Sequence, residues 1–177
     1  SSAASDVYKR QTGRQVCEYT NASTTQLVSS NTRNWDRELI EQLGYPQTMF
    51  KEIIEPGTII GNLTDIVQES VGFDTKVIAT ASHDTASAVV SVPALREDFI
   101  YISSGTWSLM GMERNIADCS LESMQANFTN EGGYNHRFRY LKNIMGLWMI
   151  QSLRRELEET LSFNAVSYTH LRAHETL

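Results

Sequence analysis

The chain has 177 residues, of which 41% are hydrophobic and 20% are charged, and its formal net charge is −6. This is the composition of a globular protein, and the acidic balance gives no basic patch for nucleic-acid phosphates or anionic lipids. We therefore expect neither a nucleic-acid partner nor a membrane partner. The longest apolar run, Ile144 to Ile150, is far shorter than the ~20 residues that span a bilayer.

Cysteine usage favours a reduced compartment. Cys17 and Cys119 lie about a hundred residues apart, without the paired spacing of a zinc site or of a small disulfide scaffold. We expect a cytoplasmic location.

The two ends share an unusual relationship at the level of DNA. Residues 5–11 can be encoded by an element whose reverse complement, read in a shifted frame, encodes residues 166–171. We therefore expect residues 1–11 and 166–177 to be adaptor-like tails and leave them out of the fold prediction. His170 and His174 have the spacing of a zinc-binding pair on a helix, but they fall in the second tail, so we expect no metal site there.

Short helices and strands alternate in the first half of the chain. A polar cap and a following glycine predict a helix over 35–43, and Pro56-Gly57 predicts a turn. The same reasoning gives a strand over 58–63, a helix over 65–71 that ends at Gly72, a strand over 76–81, and a helix over 85–92 that ends at Pro93.

The second half reads as antiparallel strands followed by a helix. Two apolar runs separated by Ser-Gly-Thr predict a hairpin. The predicted strands are 99–103, 107–112, 127–130 and 137–141, and an apolar stripe of Ile150, Leu153, Leu157 and Leu161 predicts a last helix from Ile144 onward. The fold class is α/β with an antiparallel hairpin.

Asp84 lies in Ser82-His83-Asp84-Thr85, where a predicted strand meets the start of a helix. The positive end of a helix favours an ionised carboxylate, which could accept a proton from an alcohol that attacks a phosphoryl group. Spacing alone more often indicates a helix cap, and a histidine at the position of His83 is more often structural than a ligand.

Three further polar positions have two interpretations each. Gly105 and Thr106 could let backbone N–H groups and a hydroxyl approach phosphate oxygens, or they could form a plain turn. Asn143 directly precedes the predicted last helix, so a cap explains it. Gln151 lies on the apolar face of that helix, although polar residues at a stripe edge are common.

Five segments in the same order resemble the FGGY carbohydrate kinases, and within them the branch that acts on L-rhamnulose. They are residues 17–27, 81–89, 103–111, 127–133 and 141–148. The resemblance implies an actin-like ATPase (ribonuclease H-like) fold of two domains with ATP in the cleft. It places residues 12–96 at the end of the first domain and residues 97–165 at the start of the second.

The same resemblance implies roles for particular residues. Asp84 would be the catalytic proton acceptor, and His83 and Thr85 would contact the ketose together with it. The implied ATP contacts are Gly105, Thr106, Asn143 and Gln151. The ligands of Mg²⁺ and the adenosine pocket would lie outside this chain, and the loop of Tyr134 to His136 receives no role.

The implied reaction is ATP-dependent phosphorylation of L-rhamnulose to L-rhamnulose 1-phosphate by a longer protein that contains this segment. Two alternatives stay open. One is another ketose or polyol kinase of the family, such as an L-fuculokinase-like enzyme. The other is a non-catalytic, actin-like nucleotide-binding fragment. We expect the segment alone to be inactive.

Overall fold

The structure is a computed structural model that describes residues 3–96, 98–104, 108–144, 146 and 152. The helices of these residues are α1 (Ala3–Thr12), α2 (Tyr19–Ala22), α3 (Arg37–Gln42), α4 (Asp65–Val71), α5 (Asp84–Val90) and α6 (Leu121–Gln125). The strands are β1 (Cys17–Glu18), β2 (Ile53–Ile54), β3 (Ile59–Asn62), β4 (Lys76–Ile78), β5 (Ile100–Ser104), β6 (Ser108–Arg114), β7 (Thr129–Gly132) and β8 (Phe138–Ile144). Single 3₁₀ turns lie at Ser23–Thr25 and Gln47–Met49.

The elements predicted between residues 35 and 92 are confirmed as α3, β3, α4, β4 and α5, with shorter bounds for most of them. The local chemistry explains the helix ends. The side chain of Asp36 accepts the backbone N–H of Leu39 at 3.0 Å, which begins α3. Gly72 adopts a left-handed φ of 82° and ends α4, as a C-terminal glycine commonly does.

The first half contains two small sheets and two apolar clusters. β1 pairs with β2 in parallel, and β3 pairs with β4 antiparallel. One cluster includes Tyr8, Ile60 and Val77, and the other includes Trp35 and Ile40. Burial of these side chains from water is the main force that holds such short elements together.

Helix α1 lies in a segment that we expected to be an adaptor-like tail. In the structure Tyr8 is buried in the first apolar cluster. Its hydroxyl oxygen accepts the backbone N–H of Thr80 at 2.8 Å. The segment therefore packs on residues just before Asp84, while its adaptor origin stays a prediction.

The second half is a four-stranded antiparallel sheet in the order β5-β6-β8-β7. The predicted hairpin is confirmed, since Ser104 and Ser108 are paired across β5 and β6. The two later strands are confirmed as β7 and β8, which are neighbours in this sheet. Helix α6 was not predicted. Its N-cap residue Ser120 accepts the backbone N–H of Ser123 at 3.2 Å.

The prediction that Asn143 directly precedes a helix is wrong. It lies inside β8, opposite Leu109 of β6, and is not a cap directly before a helix. The strand continues to Ile144 because its backbone stays paired with Ser108. The rest of the predicted last helix lies outside the described residues, except for residues 146 and 152.

The sheet contacts the first half of the chain through two loops. The hydroxyl of Ser23 accepts the backbone N–H of Gly132 at 2.7 Å. Arg33 donates to the backbone carbonyl of His136 at 2.7 Å, and its guanidinium lies 4.9 Å from the ring centroid of Phe138. The loop of Tyr134 to His136, which received no role from the sequence, therefore joins the two halves.

None of the helices in the described part of the chain combines the length and the apolar character that crossing a membrane requires.

Candidate functional site

Asp84 is the first residue of α5, directly after its N-cap residue His83. The side chain is 97% exposed. Its Oδ1 atom accepts the backbone N–H of Thr85 at 2.7 Å. Within the described ranges no group donates a hydrogen bond to Oδ2. The carboxylate is thus oriented by its own helix and keeps one oxygen open to solvent.

His83 and Thr85 flank this carboxylate differently. The Nδ1 atom of His83 lies 3.4 Å from Asp84 Oδ1, and the imidazole is 25% exposed. Thr85 is buried, with its hydroxyl 3.4 Å from the same carboxylate oxygen. Of the three consecutive residues to which the resemblance gave the sugar, Asp84 is therefore the outermost.

A buried carboxylate lies behind the loop that leads to Asp84. Glu18 is 3% exposed and ends β1. Its Oε2 atom accepts the backbone N–H of Ser82 at 2.8 Å and the hydroxyl of Thr20 at 2.6 Å. Neither Glu18 nor Thr20 was singled out from the sequence. Glu is not among the residues that commonly cap a helix, so no local signal in the sequence indicated them.

Helix α5 also holds the loop that leads to Asp84. The hydroxyl of Ser87 in α5 donates to the carbonyl of Ala81 at 2.6 Å. Because the Ser82 N–H is held by Glu18 and the Ala81 carbonyl by Ser87, the turn from strand to helix has partners on both sides. The arrangement presents Asp84 on a short, well-anchored segment.

Two titratable groups near Glu18, Tyr19 and Glu55, have raised pKa values. Burial raises the pKa of Tyr19 to about 12, against the opposing effect of Arg33. Burial likewise raises the pKa of Glu55 above its ordinary value, while His136 opposes this effect. Tyr19 therefore stays a neutral phenol at physiological pH.

Asn143 lies in a different environment. It lines an open cavity of about 790 Å³ between residues 23–30 and the four-stranded sheet. The walls include Ser23, Asp118 and Asn130. Of the described residues that line this cavity, none belongs to the segment 83–85. This cavity thus does not join Asn143 to Asp84.

The other predicted nucleotide contacts, Gly105, Thr106 and Gln151, lie outside the described residues. In the ranges that are described, no group of three or more His, Cys, Asp or Glu side chains is arranged to hold a metal ion.

Known proteins match most of the chain. The model of the FGGY family of carbohydrate kinases, N-terminal domain, matches residues 4–91. The chain is 54% identical to a rhamnulokinase from Oceanobacillus iheyensis over 152 residues, which cover 86% of this chain and 32% of that protein. It is 53% identical to a rhamnulokinase from Halalkalibacterium halodurans, with the same coverage. The chain therefore spans about a third of the length of these relatives.

Solved structures show the same fold. A xylulose kinase from Rhodospirillum rubrum superposes with a TM-score of 0.74 at 13% identity, over 97% of this chain and 35% of that one. A xylulose kinase from Lactobacillus acidophilus gives 0.71 at 20% identity, over 85% of this chain and 31% of that one. The predicted partial actin-like fold of the FGGY sugar kinases is confirmed. From the family match and these relatives we conclude that the chain belongs to the FGGY family of carbohydrate kinases.

Proposed function

We propose that the protein containing this segment transfers the γ-phosphoryl group of ATP to the primary hydroxyl of L-rhamnulose. The choice of sugar is supported by the 54% and 53% identity to two rhamnulokinases. The choice of reaction class is supported by the family match over residues 4–91.

Asp84 is the proposed general base. The observation that carries this role is the carboxylate at the start of α5, 97% exposed and with one oxygen that accepts no hydrogen bond from the described residues. In the proposed step the sugar oxygen attacks the γ-phosphorus while the bond to the β-γ bridging oxygen breaks. The proton of the sugar hydroxyl passes to Asp84, and the products are the sugar phosphate and ADP.

The remaining contacts are part of the proposal. His83 and Thr85 would contact the ketose beside Asp84, because they flank it at the same helix start. Gly105 and Thr106, which come between β5 and β6 in the chain, would approach the phosphates, and Asn143 would contact ATP from β8. Gln151 is also assigned to ATP.

Mg²⁺ belongs to the proposed reaction as the ion that neutralises charge on ATP. The described residues do not fit an Mg²⁺ site of their own, since no suitable group of three acidic, histidine or cysteine side chains occurs among them. We therefore assign the ion no ligand among the described residues.

The test is product formation by a full-length kinase that carries this segment. The protein is incubated with ATP, Mg²⁺ and, separately, L-rhamnulose, L-fuculose and xylulose, and the sugar phosphates are identified by mass spectrometry and NMR. We expect L-rhamnulose 1-phosphate as the preferred product. Preference for another ketose would overturn the sugar assignment, and absence of every sugar phosphate would indicate a non-catalytic protein.

A further inference from the structure

The loop before Asp84 is tied to a strand that lies far away in the sequence. Ser82 is 64 residues from Glu18, and its backbone N–H donates to Glu18 Oε2 at 2.8 Å. His83 is 63 residues from Thr20, and its backbone N–H donates to the Thr20 hydroxyl at 3.1 Å. The two backbone N–H groups that directly precede Asp84 thus both donate to one buried pair of side chains, Glu18 and Thr20.

The pair is internally connected. The Thr20 hydroxyl donates to Glu18 Oε2 at 2.6 Å, and the Thr20 backbone N–H donates to Glu18 Oε1 at 2.8 Å. Thr20 is completely buried and Glu18 is almost so. A buried carboxylate is costly unless hydrogen-bond donors surround it, and hydrogen bonds to a charged acceptor are short and strong. Glu18 accepts three such bonds, from the backbone N–H and the hydroxyl of Thr20 and from the backbone N–H of Ser82.

Capping of α2 does not account for this arrangement. A cap needs the bond from the Thr20 backbone N–H to Glu18 Oε1, since that bond satisfies a free donor of the first helical turn. The bonds to Ser82 and His83 lie outside α2 and do nothing for it. They fix the backbone from which Asp84 projects.

We propose that Glu18 and Thr20 are positioning residues for Asp84, holding the Ser82-His83 backbone so that the carboxylate meets the sugar hydroxyl. This inference rests on the proposed function. A general base must lie within hydrogen-bond reach of the proton that it accepts, so a small displacement of its loop lowers turnover. Glu18 and Thr20 touch no reacting atom and act through the backbone.

Two substitutions test the role in the full-length kinase. Glu18→Gln keeps the size of the side chain but turns one acceptor into a donor, which then faces an N–H or O–H group. Thr20→Val keeps the shape and removes the hydroxyl that joins Glu18 to His83. Each should lower kcat by up to about 10²-fold, as a misplacement of the order of 1 Å does. The KM for ATP should not change.

A double-substitution cycle separates positioning from general damage to the fold. In an Asp84→Asn background there is no base to position, so Glu18→Gln should cause little further loss of kcat. Damage to the fold would lower kcat by the same factor in both backgrounds and would overturn the proposal. Glu38→Gln is the matched control, because Glu38 is exposed and contacts Gln42 on its own helix. It should turn over normally.

Amide hydrogen exchange gives a readout that is independent of catalysis. In Glu18→Gln and Thr20→Val the amides of Ser82 and His83 should exchange faster, while those of α3 stay unchanged. Unchanged exchange together with normal turnover in both variants would overturn the positioning role alone. Absence of turnover in the unsubstituted protein would instead overturn the proposed function. Should Glu18→Gln fail to fold, Thr20→Val, which removes a single hydroxyl, decides the matter.

Discussion

The backbone N–H of Gly132 donates to the hydroxyl of Ser23 at 2.7 Å, at a point where the ring of Tyr19 lies against the glycine. A Cβ atom on Gly132 would come within 2.7 Å of the Tyr19 ring and 3.0 Å of the Ser23 oxygen. This contact joins the sheet of the second half to helix α2 of the first, and it leaves no room for a side chain.

Gly132→Ala should therefore destabilise the protein. Overpacking of a tight contact typically costs about 1–3 kcal/mol, because the ring or a backbone segment must shift. The measurement is the thermal unfolding midpoint of the full-length protein. Gly61→Ala is the control, since a Cβ there would meet nothing closer than Arg14 at 3.7 Å. Equal midpoints for both variants would show that the contact is looser than the structure indicates.

Arg139 offers a second test of packing. Its guanidinium is fully buried and donates to Glu131 at 2.8 Å and to the carbonyl of Gly132 at 3.0 Å. Removing one partner of a buried pair costs about 3–5 kcal/mol, and Glu131, whose side chain is only 19% exposed, would lose its ion-pair partner. Arg139→Met should thus lower the unfolding midpoint strongly.

The control for Arg139→Met is an exposed pair of similar length. Arg96 donates to Asp98 at 2.7 Å, but both side chains are largely exposed. Solvent screening makes such pairs nearly neutral for stability, so Arg96→Met should leave the unfolding midpoint almost unchanged. A loss as large as that of Arg139→Met would contradict the role of burial.

Because Glu113 is largely buried, we expect the stability of the protein to depend on pH. Burial raises its pKa above the ordinary value of 4.5, and Arg137 and Arg139 only partly oppose this effect. A carboxyl group whose pKa is raised by folding stabilises the folded state when it is protonated, and this contribution is lost as the pH rises through the folded-state pKa. Glu113→Gln stays neutral and avoids that loss.

The expected result is a difference that grows with pH. The unfolding midpoint of Glu113→Gln, relative to that of the unsubstituted protein, should rise between about pH 4 and about pH 7. Thermal unfolding at several pH values in this range measures it. A relative midpoint that falls with pH would mean that Arg137 and Arg139 lower the pKa of Glu113 by more than burial raises it.

Much of the local fold could be predicted because short-range chemistry determines it. Gly72 ends α4 as expected, and the hairpin of β5 and β6 follows from two apolar runs separated by Ser-Gly-Thr in the sequence. The position of Asp84 at a helix start was likewise visible in the sequence. These features depend on neighbours within a few residues.

Features that depend on distant partners could not be predicted. Asn143 continues β8 because Leu109 pairs with it from another strand, which a local cap pattern does not reveal. The support of Ser82 by Glu18 crosses 64 residues. Helix α6 is five residues long and has little apolar periodicity to detect. In each case tertiary contacts decide, and a single sequence does not state them.

The turnover of Asp84→Asn measures the central claim most directly. Asp65→Asn is its matched control, since Asp65 is also the exposed first residue of a seven-residue helix. In the full-length kinase, Asp84→Asn should lower kcat with L-rhamnulose by about 10²- to 10⁴-fold, the usual contribution of a positioned base, while ATP binding persists. Asp65→Asn should turn over normally. Near-normal kcat in Asp84→Asn would contradict the account.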